Sequence, residues 1–161
     1  DLDLLITRYS AHPTAAEAVP PIRPSLQRLV SRASSNTIFL RGSLVAALGP
    51  FDERLGLGTS CSGGEDTDYA LRASGIARSV ALIDAPLVGH RDPNPALRGR
   101  YYPGSLAAIA KHAAASPTAI PWLVRKIAVG AWLTLTRKLA PADYFRALGS
   151  AFTIGATARR D

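Results

Sequence analysis

Short apolar runs alternate with helix-like segments along residues 1–90. The apolar runs predict strands at residues 3–7, 36–41, 80–83 and 85–90. Apolar residues at helical spacing predict helices at residues 25–32, 43–48 and 66–75, with Ser25 as the N-cap of the first. Because helices that alternate with apolar strands pack in layers, the pattern predicts the α/β class.

Three further helices are predicted in the last third of the chain, at residues 106–115, 121–139 and 142–152. The longest apolar region, residues 120–139, contains four Arg or Lys residues, whereas a membrane-spanning helix needs about 20 nearly uncharged residues. With Trp122 and Trp132, it suits an amphipathic helix at a membrane interface, the two indoles lying within about 80° of each other. Packing of its apolar face on the rest of the protein explains the pattern equally well.

The composition is that of a folded protein. The 161 residues are 47% hydrophobic and 19% charged, which excludes global disorder and fits one domain or a large part of one. The sequence contains no methionine, so we expect it to be a piece of a longer protein. The single cysteine, Cys61, excludes an internal disulfide, and with only three histidines it excludes a zinc site made of Cys and His alone. We therefore expect a reducing, cytoplasmic compartment.

Charge divides the chain near residue 97. Residues 1–97 carry nine Arg/Lys and ten Asp/Glu, a net charge of −1, whereas residues 98–161 carry ten and two, a net charge of +8. We therefore predict a first domain at residues 1–97 and a basic helical extension at residues 98–161. Because the basic residues alternate with apolar runs and tryptophans, we expect contact with anionic lipid at the inner face of the cell membrane, or with phosphate, and no nucleic acid.

Three carboxylates directly follow a glycine-rich segment. Residues 51–64 contain four glycines and no periodicity, which predicts a long loop. Glu65, Asp66 and Asp68 follow within four residues. Such a cluster commonly caps a helix, whose positive end favours negative charge by about 0.3–1 kcal/mol per residue. Alternatively, one carboxylate acts as a general base at the junction of loop and helix.

His90 ends the last predicted strand. Sites in open α/β sheets gather at the carboxyl ends of strands, which makes this histidine a candidate for function. A lone histidine is also commonly structural, and a metal-binding role would need other ligands.

Four segments together carry a resemblance to a known family. They are residues 35–41 (SNTIFLR), 49–53 (GPFDE), 63–72 (GGEDTDYALR) and His90. In this order and spacing they resemble the second half of family 2 glycosyltransferases. The resemblance implies a partial GT-A fold, a Rossmann-like α/β sandwich that lacks its N-terminal nucleotide-binding half and is followed by C-terminal helices. It also implies transfer of a sugar from a nucleotide-sugar donor to an acceptor hydroxyl with inversion.

The resemblance assigns roles to individual residues. Asp66 matches the catalytic base that deprotonates the acceptor, and Glu65 matches an acceptor-binding neighbour. Asp68 and Arg72 look like helix-stabilising members of the same segment. His90 resembles the histidine that helps to hold a divalent metal, Mn or Mg, against the leaving diphosphate. We expect Asp66 and His90 to face one cleft.

Further substrate-binding residues are expected at five positions. They are Asn36, Arg41, Arg98, Arg100 and Tyr101. The two arginines and the tyrosine of the last segment follow His90 at a distance that would let them close over a diphosphate, since Arg matches phosphate geometry. A solvated turn is the alternative for that segment.

The expected partners are a nucleotide-sugar donor, a lipid-linked or polysaccharide acceptor, as in cell-wall or polysaccharide biosynthesis, and a peripheral membrane contact. The chain begins after the family's Asp-x-Asp segment, so we expect it to be inactive on its own. The competing interpretation, from another class, is a non-catalytic scaffold or membrane-surface module in which the acidic cluster only caps a helix.

Overall fold

The computed structural model describes residues 2–14, 19–91 and 98–158, with the backbone alone at residue 98. The chain divides into two compact units, one formed by residues 1–50 and 69–93 and the other by residues 51–68 and 94–161. The fold is mixed α/β, as predicted. In this division, residues 51–68 belong to the same unit as the C-terminal helices. The domain boundary predicted at residue 97 depends on the distribution of charge and stays a prediction.

A three-stranded mixed sheet forms the centre of the first unit. Its strands are β1 (Leu4–Ser10), β2 (Ile38–Leu40) and β3 (Val80–Gly89), in the order β2-β1-β3. β1 is antiparallel to β2 and parallel to β3. β3 is one strand where two extended pieces were predicted. Its register with β1 shifts on both sides of the Arg8–Pro86 pair, and such an irregularity accommodates a proline that cannot donate to the ladder.

Three helices flank these strands in sequence: α1 (Leu26–Arg32), α2 (Gly42–Leu48) and α3 (Glu65–Ile76). The predicted cap of α1 is present, since the Ser25 hydroxyl accepts a hydrogen bond from the Arg28 amide at 3.4 Å. Gly49 ends α2 with φ +70°, a conformation that favours glycine. The apolar core of the unit combines strands and helices and consists of Leu4, Ile6, Leu29, Leu44, Ala70, Leu71, Ala73 and Leu82.

The second unit contains α4 (Arg98–Ala115), α5 (Ile120–Leu135) and α6 (Pro141–Thr157). Its core is built largely from alanines, which let the helices approach closely, together with Tyr102, Leu106 and Leu139. α4 begins earlier than the predicted residue 106, because the Pro and Gly at 103 and 104 lie inside the helix rather than in a turn. α6 extends beyond the predicted residue 152.

α5 ends at Leu135, four residues before the predicted end. Arg137 adopts a left-handed conformation with φ +57°, which stops the helix, and Leu139 turns back into the core. Arg137 and Lys138 therefore lie in the connection between α5 and α6. Within the described part of the chain, no helix combines the length and the apolar character needed to cross a membrane.

Candidate functional site

Two glycines in left-handed conformations lead into the acidic cluster. Gly63 and Gly64 have φ of +142° and +95°, and α3 begins at the next residue. The preceding segment has no regular helix or strand, as predicted, but it is closed on itself. The Gly56 amide donates to the Gly63 carbonyl at 3.2 Å, and the Thr59 hydroxyl donates to the Gly56 carbonyl at 2.9 Å. These hydrogen bonds close residues 56–64 into a turn, which we call the glycine turn. It leads directly into the first turn of α3.

The glycine turn lies directly against the backbone of α4. A Cβ on Gly64 would overlap the carbonyl group of Gly104, and a Cβ on Gly104 would overlap the carbonyl group of Gly63. Glycine at positions 64 and 104 lets the two backbones touch. The sequence pattern identified Gly63 and Gly64 but not Gly104, which precedes the predicted start of the helix at residue 106.

Replacing Gly104 by Ala is expected to destabilise the protein by about 2 kcal/mol, because the added methyl group forces the glycine turn away from α4. Gly75→Ala in α3 is the matched control, since nothing lies within 4 Å of a Cβ there. That variant should gain up to about 1 kcal/mol from helix propensity. Urea unfolding measures both free energies, and equal stabilisation by the two substitutions would contradict the close contact.

The three carboxylates of the cluster have different environments. Glu65 and Asp66 are half-buried in the first turn of α3, whereas Asp68 is almost fully buried. The Lys111 ammonium lies 2.9 Å from Asp68 Oδ1 and 2.7 Å from Asp52 Oδ2. Asp68 thus has the structural role predicted for it, held by a lysine of α4 that the sequence analysis did not identify.

Arg72 also has a structural role. Its guanidinium donates to the carbonyls of Leu48 and Pro50, both at 2.9 Å, and its cationic group lies 5.0 Å from the centre of the Tyr69 ring. The Tyr69 hydroxyl donates to the Gly49 carbonyl at 3.2 Å. These contacts fasten α3 to the end of α2, in agreement with the helix-stabilising role predicted for Arg72.

Asp52 joins the ion pairs beneath the glycine turn. The Arg54 guanidinium and, after it, the Lys111 ammonium hold the pKa of Asp52 well below its usual range. Arg54 also donates to the Thr157 hydroxyl at 2.9 Å, which connects the loop to the end of α6. Burial lowers the pKa of the neighbouring His112, an effect that the charge of Asp68 partly opposes. The lowered pKa keeps Asp52 ionised at neutral pH, so its ion pairs with Arg54 and Lys111 hold the loop in place.

Tyr101 lies beside the glycine turn. A Cβ on Gly63 would come within 3.2 Å of Cδ1 of the Tyr101 ring, and 3.9 Å from Oε2 of Glu65. Tyr101 and Glu65 are therefore brought together at the turn. Arg100, the residue before Tyr101, is exposed, and the side chain of Arg98 is outside the described atoms. All three residues belong to the first turn of α4 and not to a loop, and Arg100 and Tyr101 are exposed, as the solvated alternative predicts. Their contact with a diphosphate stays a prediction.

His90 directly follows β3 in the first unit, as predicted. Its amide donates to the Ser10 carbonyl at the end of β1 at 3.0 Å, and its ring packs edge-on against Tyr9 with centroids 5.1 Å apart. Nδ1 lies 3.0 Å from the Arg91 carbonyl oxygen. Because a carbonyl oxygen can only accept, Nδ1 is the donor in this hydrogen bond.

His90 could serve as one metal ligand, but the described residues around it do not complete a metal site. A neutral imidazole with its Nδ1 donating to a carbonyl oxygen is the form that binds metals through Nε2. Mn or Mg would need additional oxygen ligands. Within residues 2–14, 19–91 and 98–158, no three His, Cys, Asp or Glu side chains form a group that could hold a metal ion. The divalent metal stays a prediction.

Asn36 and Arg41 lie toward opposite ends of the sheet. Arg41 Nε is 3.2 Å from Asp3 Oδ1, next to the first residue of β1 and away from His90. Asn36 precedes β2 and lies toward the carboxyl end of β1, since the two strands are antiparallel. Its Oδ1 is buried without a hydrogen-bond partner among the described residues. The structure does not bring these two residues together, and their substrate-binding roles stay predictions.

The two residues given the central roles belong to different units. Asp66 lies in the unit of the C-terminal helices and His90 in the unit of the sheet. Their arrangement around one cleft stays a prediction. No protein-family model matches the chain, and comparisons with curated proteins and with solved structures found no similar protein.

Proposed function

We propose that the chain is the acceptor-side part of an inverting glycosyltransferase, with Asp66 as the general base. The observation that supports this best is the way in which the first turn of α3 is held in place. We call this turn, which carries Glu65, Asp66 and Asp68, the acidic turn. Gly63 and Gly64, which precede it, lie against the backbone of α4. The ion pairs of Asp68 and Asp52 with Lys111 hold the turn and the preceding loop to α4. Glu65 and Asp66 nevertheless keep partial access to solvent. A rigid support under accessible carboxylates is what a general base requires.

The proposed reaction is a single displacement. The acceptor hydroxyl donates its proton to Asp66 while its oxygen forms a bond to the anomeric carbon of the donor sugar. The bond from that carbon to the diphosphate oxygen breaks, and its electron pair leaves with the nucleoside diphosphate. Glu65 binds another acceptor hydroxyl. The amide groups in the first turn of α3 favour negative charge at this position.

A divalent metal, when bound, would neutralise the charge that develops on the leaving diphosphate. His90 would contribute its Nε2 as one ligand, and its Nδ1 hydrogen bond to the Arg91 carbonyl would orient the ring. Arg100 and Tyr101 would contact the diphosphate oxygens. The donor itself would bind to residues beyond those described.

An uncovered part of the sheet supports a further layer of protein on the first unit. Leu5 and Phe39 pair across β1 and β2, and Phe39 is 50% exposed. They line an open pocket of about 310 Å³ together with Leu2 and Asp3. An apolar sheet face is normally covered by a second layer, which agrees with a donor-binding half that packs on this sheet.

The proposal is tested with the complete protein and a panel of uridine, guanosine and thymidine diphosphate sugars. Lipid-linked and polysaccharide acceptors are offered with Mn or Mg, and release of nucleoside diphosphate is measured with and without acceptor. We expect one donor to give acceptor-dependent release and a glycosylated product with inverted anomeric configuration. Failure of every donor to bind the complete protein would favour the scaffold interpretation, in which the acidic turn only caps α3.

A further inference from the structure

α5 exposes large apolar residues on the side that faces away from the core. Leu123, Ile127 and Leu133 pack against the core of the second unit on one side. The opposite side carries Trp132 and Leu135, which are 63% and 80% exposed. Large apolar side chains exposed next to the cationic Arg125 give the outer side of α5 the composition of a surface that contacts something else.

α6 repeats this arrangement. Its inner side packs through Ala147, Ala151 and Ile154, whereas Phe145 and Phe152, seven residues apart on the outer side, are 68% and 80% exposed. Single exposed apolar residues are common, but large aromatic residues in a row with exposed aliphatic ones mark an interaction surface.

Basic residues lie at the junction of these two outer sides. Arg137 and Lys138 are exposed in the connection between Leu135, at the end of α5, and Phe145, in the second turn of α6. We call the region formed by Trp132, Leu135, Arg137, Lys138 and Phe145 the α5–α6 corner. The acidic residue described next to it, Asp143, pairs with Arg146 at 3.2 Å.

Charge identifies the kind of surface that the corner fits. Residues 98–161 carry a net charge of +8, so a second copy of the chain would bring cations against cations at a symmetric interface. Apolar and aromatic side chains flanked by Arg and Lys are instead the composition of helices that lie in the interface of an anionic bilayer. Trp in particular favours the level of the lipid headgroups.

We propose that the α5–α6 corner is a membrane-binding surface for anionic bilayers. Trp132, Leu135 and Phe145 enter the boundary between headgroups and acyl chains. Arg137 and Lys138 contact the lipid phosphates. The sequence analysis expected Trp122 and Trp132 to share one membrane-facing side of the helix. In the structure Trp122 is half-buried, with the Arg125 guanidinium 6.0 Å from its ring centre. Of the two tryptophans, only Trp132 is exposed and belongs to the proposed surface. The proposal does not depend on the proposed catalytic activity.

The test is sedimentation of the complete protein with vesicles of phosphatidylcholine alone and of phosphatidylcholine with phosphatidylglycerol. We expect binding to the anionic vesicles at least about 10-fold stronger than to the neutral ones, since each basic residue near the surface contributes a factor of about 5. Binding should weaken as salt rises above about 0.15 M, where the Debye length is about 8 Å, and should leave a residual apolar component.

Variants locate the contact. Leu135→Ser and the double variant Arg137→Glu, Lys138→Glu should each weaken binding to anionic vesicles by about 10-fold or more, because one removes apolar burial and the other the attraction. Ile76→Ser, at an exposed apolar residue of α3, is the matched control and should bind normally. Unchanged circular dichroism and urea midpoints confirm that the variants are folded.

Fluorescence gives a second measurement. In a Trp122→Phe background, Trp132 is the one remaining reporter of this chain, and its emission should shift to the blue with anionic vesicles. Protein that stays in the supernatant at low salt, with no blue shift, overturns the proposal. It is also overturned if Leu135→Ser binds vesicles normally but abolishes a concentration-dependent dimer in sedimentation velocity, because the corner would then contact a second copy.

Discussion

Asp66→Asn in the complete enzyme is expected to lower the turnover of sugar transfer by about 100-fold or more. Asn has nearly the same shape as Asp but cannot accept the acceptor proton, so binding of both substrates should change little. Because the residue is half-buried in the first turn of α3, the substitution should alter the free energy of unfolding by less than about 1 kcal/mol. Steady-state kinetics and urea unfolding on the same preparation measure both quantities.

Asp143→Asn is the matched control for Asp66→Asn. Asp143 is likewise an acidic residue in the first turn of a helix of the second unit, α6, and its partner is Arg146 of the same helix. The same chemical change there should leave turnover within about 2-fold of the original. If both variants keep full activity, Asp66 has no catalytic role and contributes only negative charge at the positive end of α3, of which it is the second residue.

The helices and strands that were predicted well are those with a strong local signal. Ser25 caps α1 and Gly49 ends α2 because each residue's own chemistry specifies its conformation. β1 was predicted from an apolar run, and its burial confirms it. Local sequence is sufficient in such cases because the interactions that end an element lie within a few residues of it.

The elements that were predicted poorly depend on distant contacts. The Pro-Gly pair at 103 and 104 indicated a turn, yet both residues lie in α4, where Gly104 makes room for the backbone of Gly63 and Gly64. The end of α5 was placed too late because Arg137 carries no local stop signal. Its left-handed conformation accompanies the burial of Leu139, which is a tertiary contact.

The acidic cluster was evident in the sequence, but the different burial and ion pairing of its three carboxylates was not. Glu65, Asp66 and Asp68 have the same local signal, and only the position of Lys111, which lies 43 residues beyond Asp68 in the sequence, separates them. Asp68 comes three residues after Glu65, close to one helical turn, so the period alone places these two carboxylates near the same side of α3. A lysine in an alanine-rich helix carries no sequence signal for a buried partner.

The largest expected loss of stability comes from Lys111→Met, at about 3 kcal/mol near pH 7. Met fills a volume similar to that of Lys, so the change removes charge without opening a large cavity. It leaves the carboxylates of Asp52 and Asp68 with 10% and 3% side-chain exposure and without their shared cation. Removing one partner of a buried ion pair is costly because the remaining charge is poorly solvated. Lys138→Met, at an exposed lysine, is the matched control and should change stability by less than about 0.5 kcal/mol.

The loss caused by Lys111→Met should depend on pH in a direction set by Asp52. Arg54 and Lys111 hold the pKa of Asp52 below its unfolded value of about 3.9, so its contribution to stability is complete above about pH 5 and declines as pH falls toward the lower, folded-state value. The free-energy gap between the original protein and the variant should therefore be widest at pH 6–7 and should narrow below about pH 4, where the unfolded chain takes up protons that the paired folded carboxylate does not. Urea unfolding at pH 7, 5 and 3.5 measures the gap. A gap of the same size at all three pH values would show that Lys111 contributes through packing of its alkyl chain and not through its charge, and the ion pairs would then not be what supports the first turn of α3.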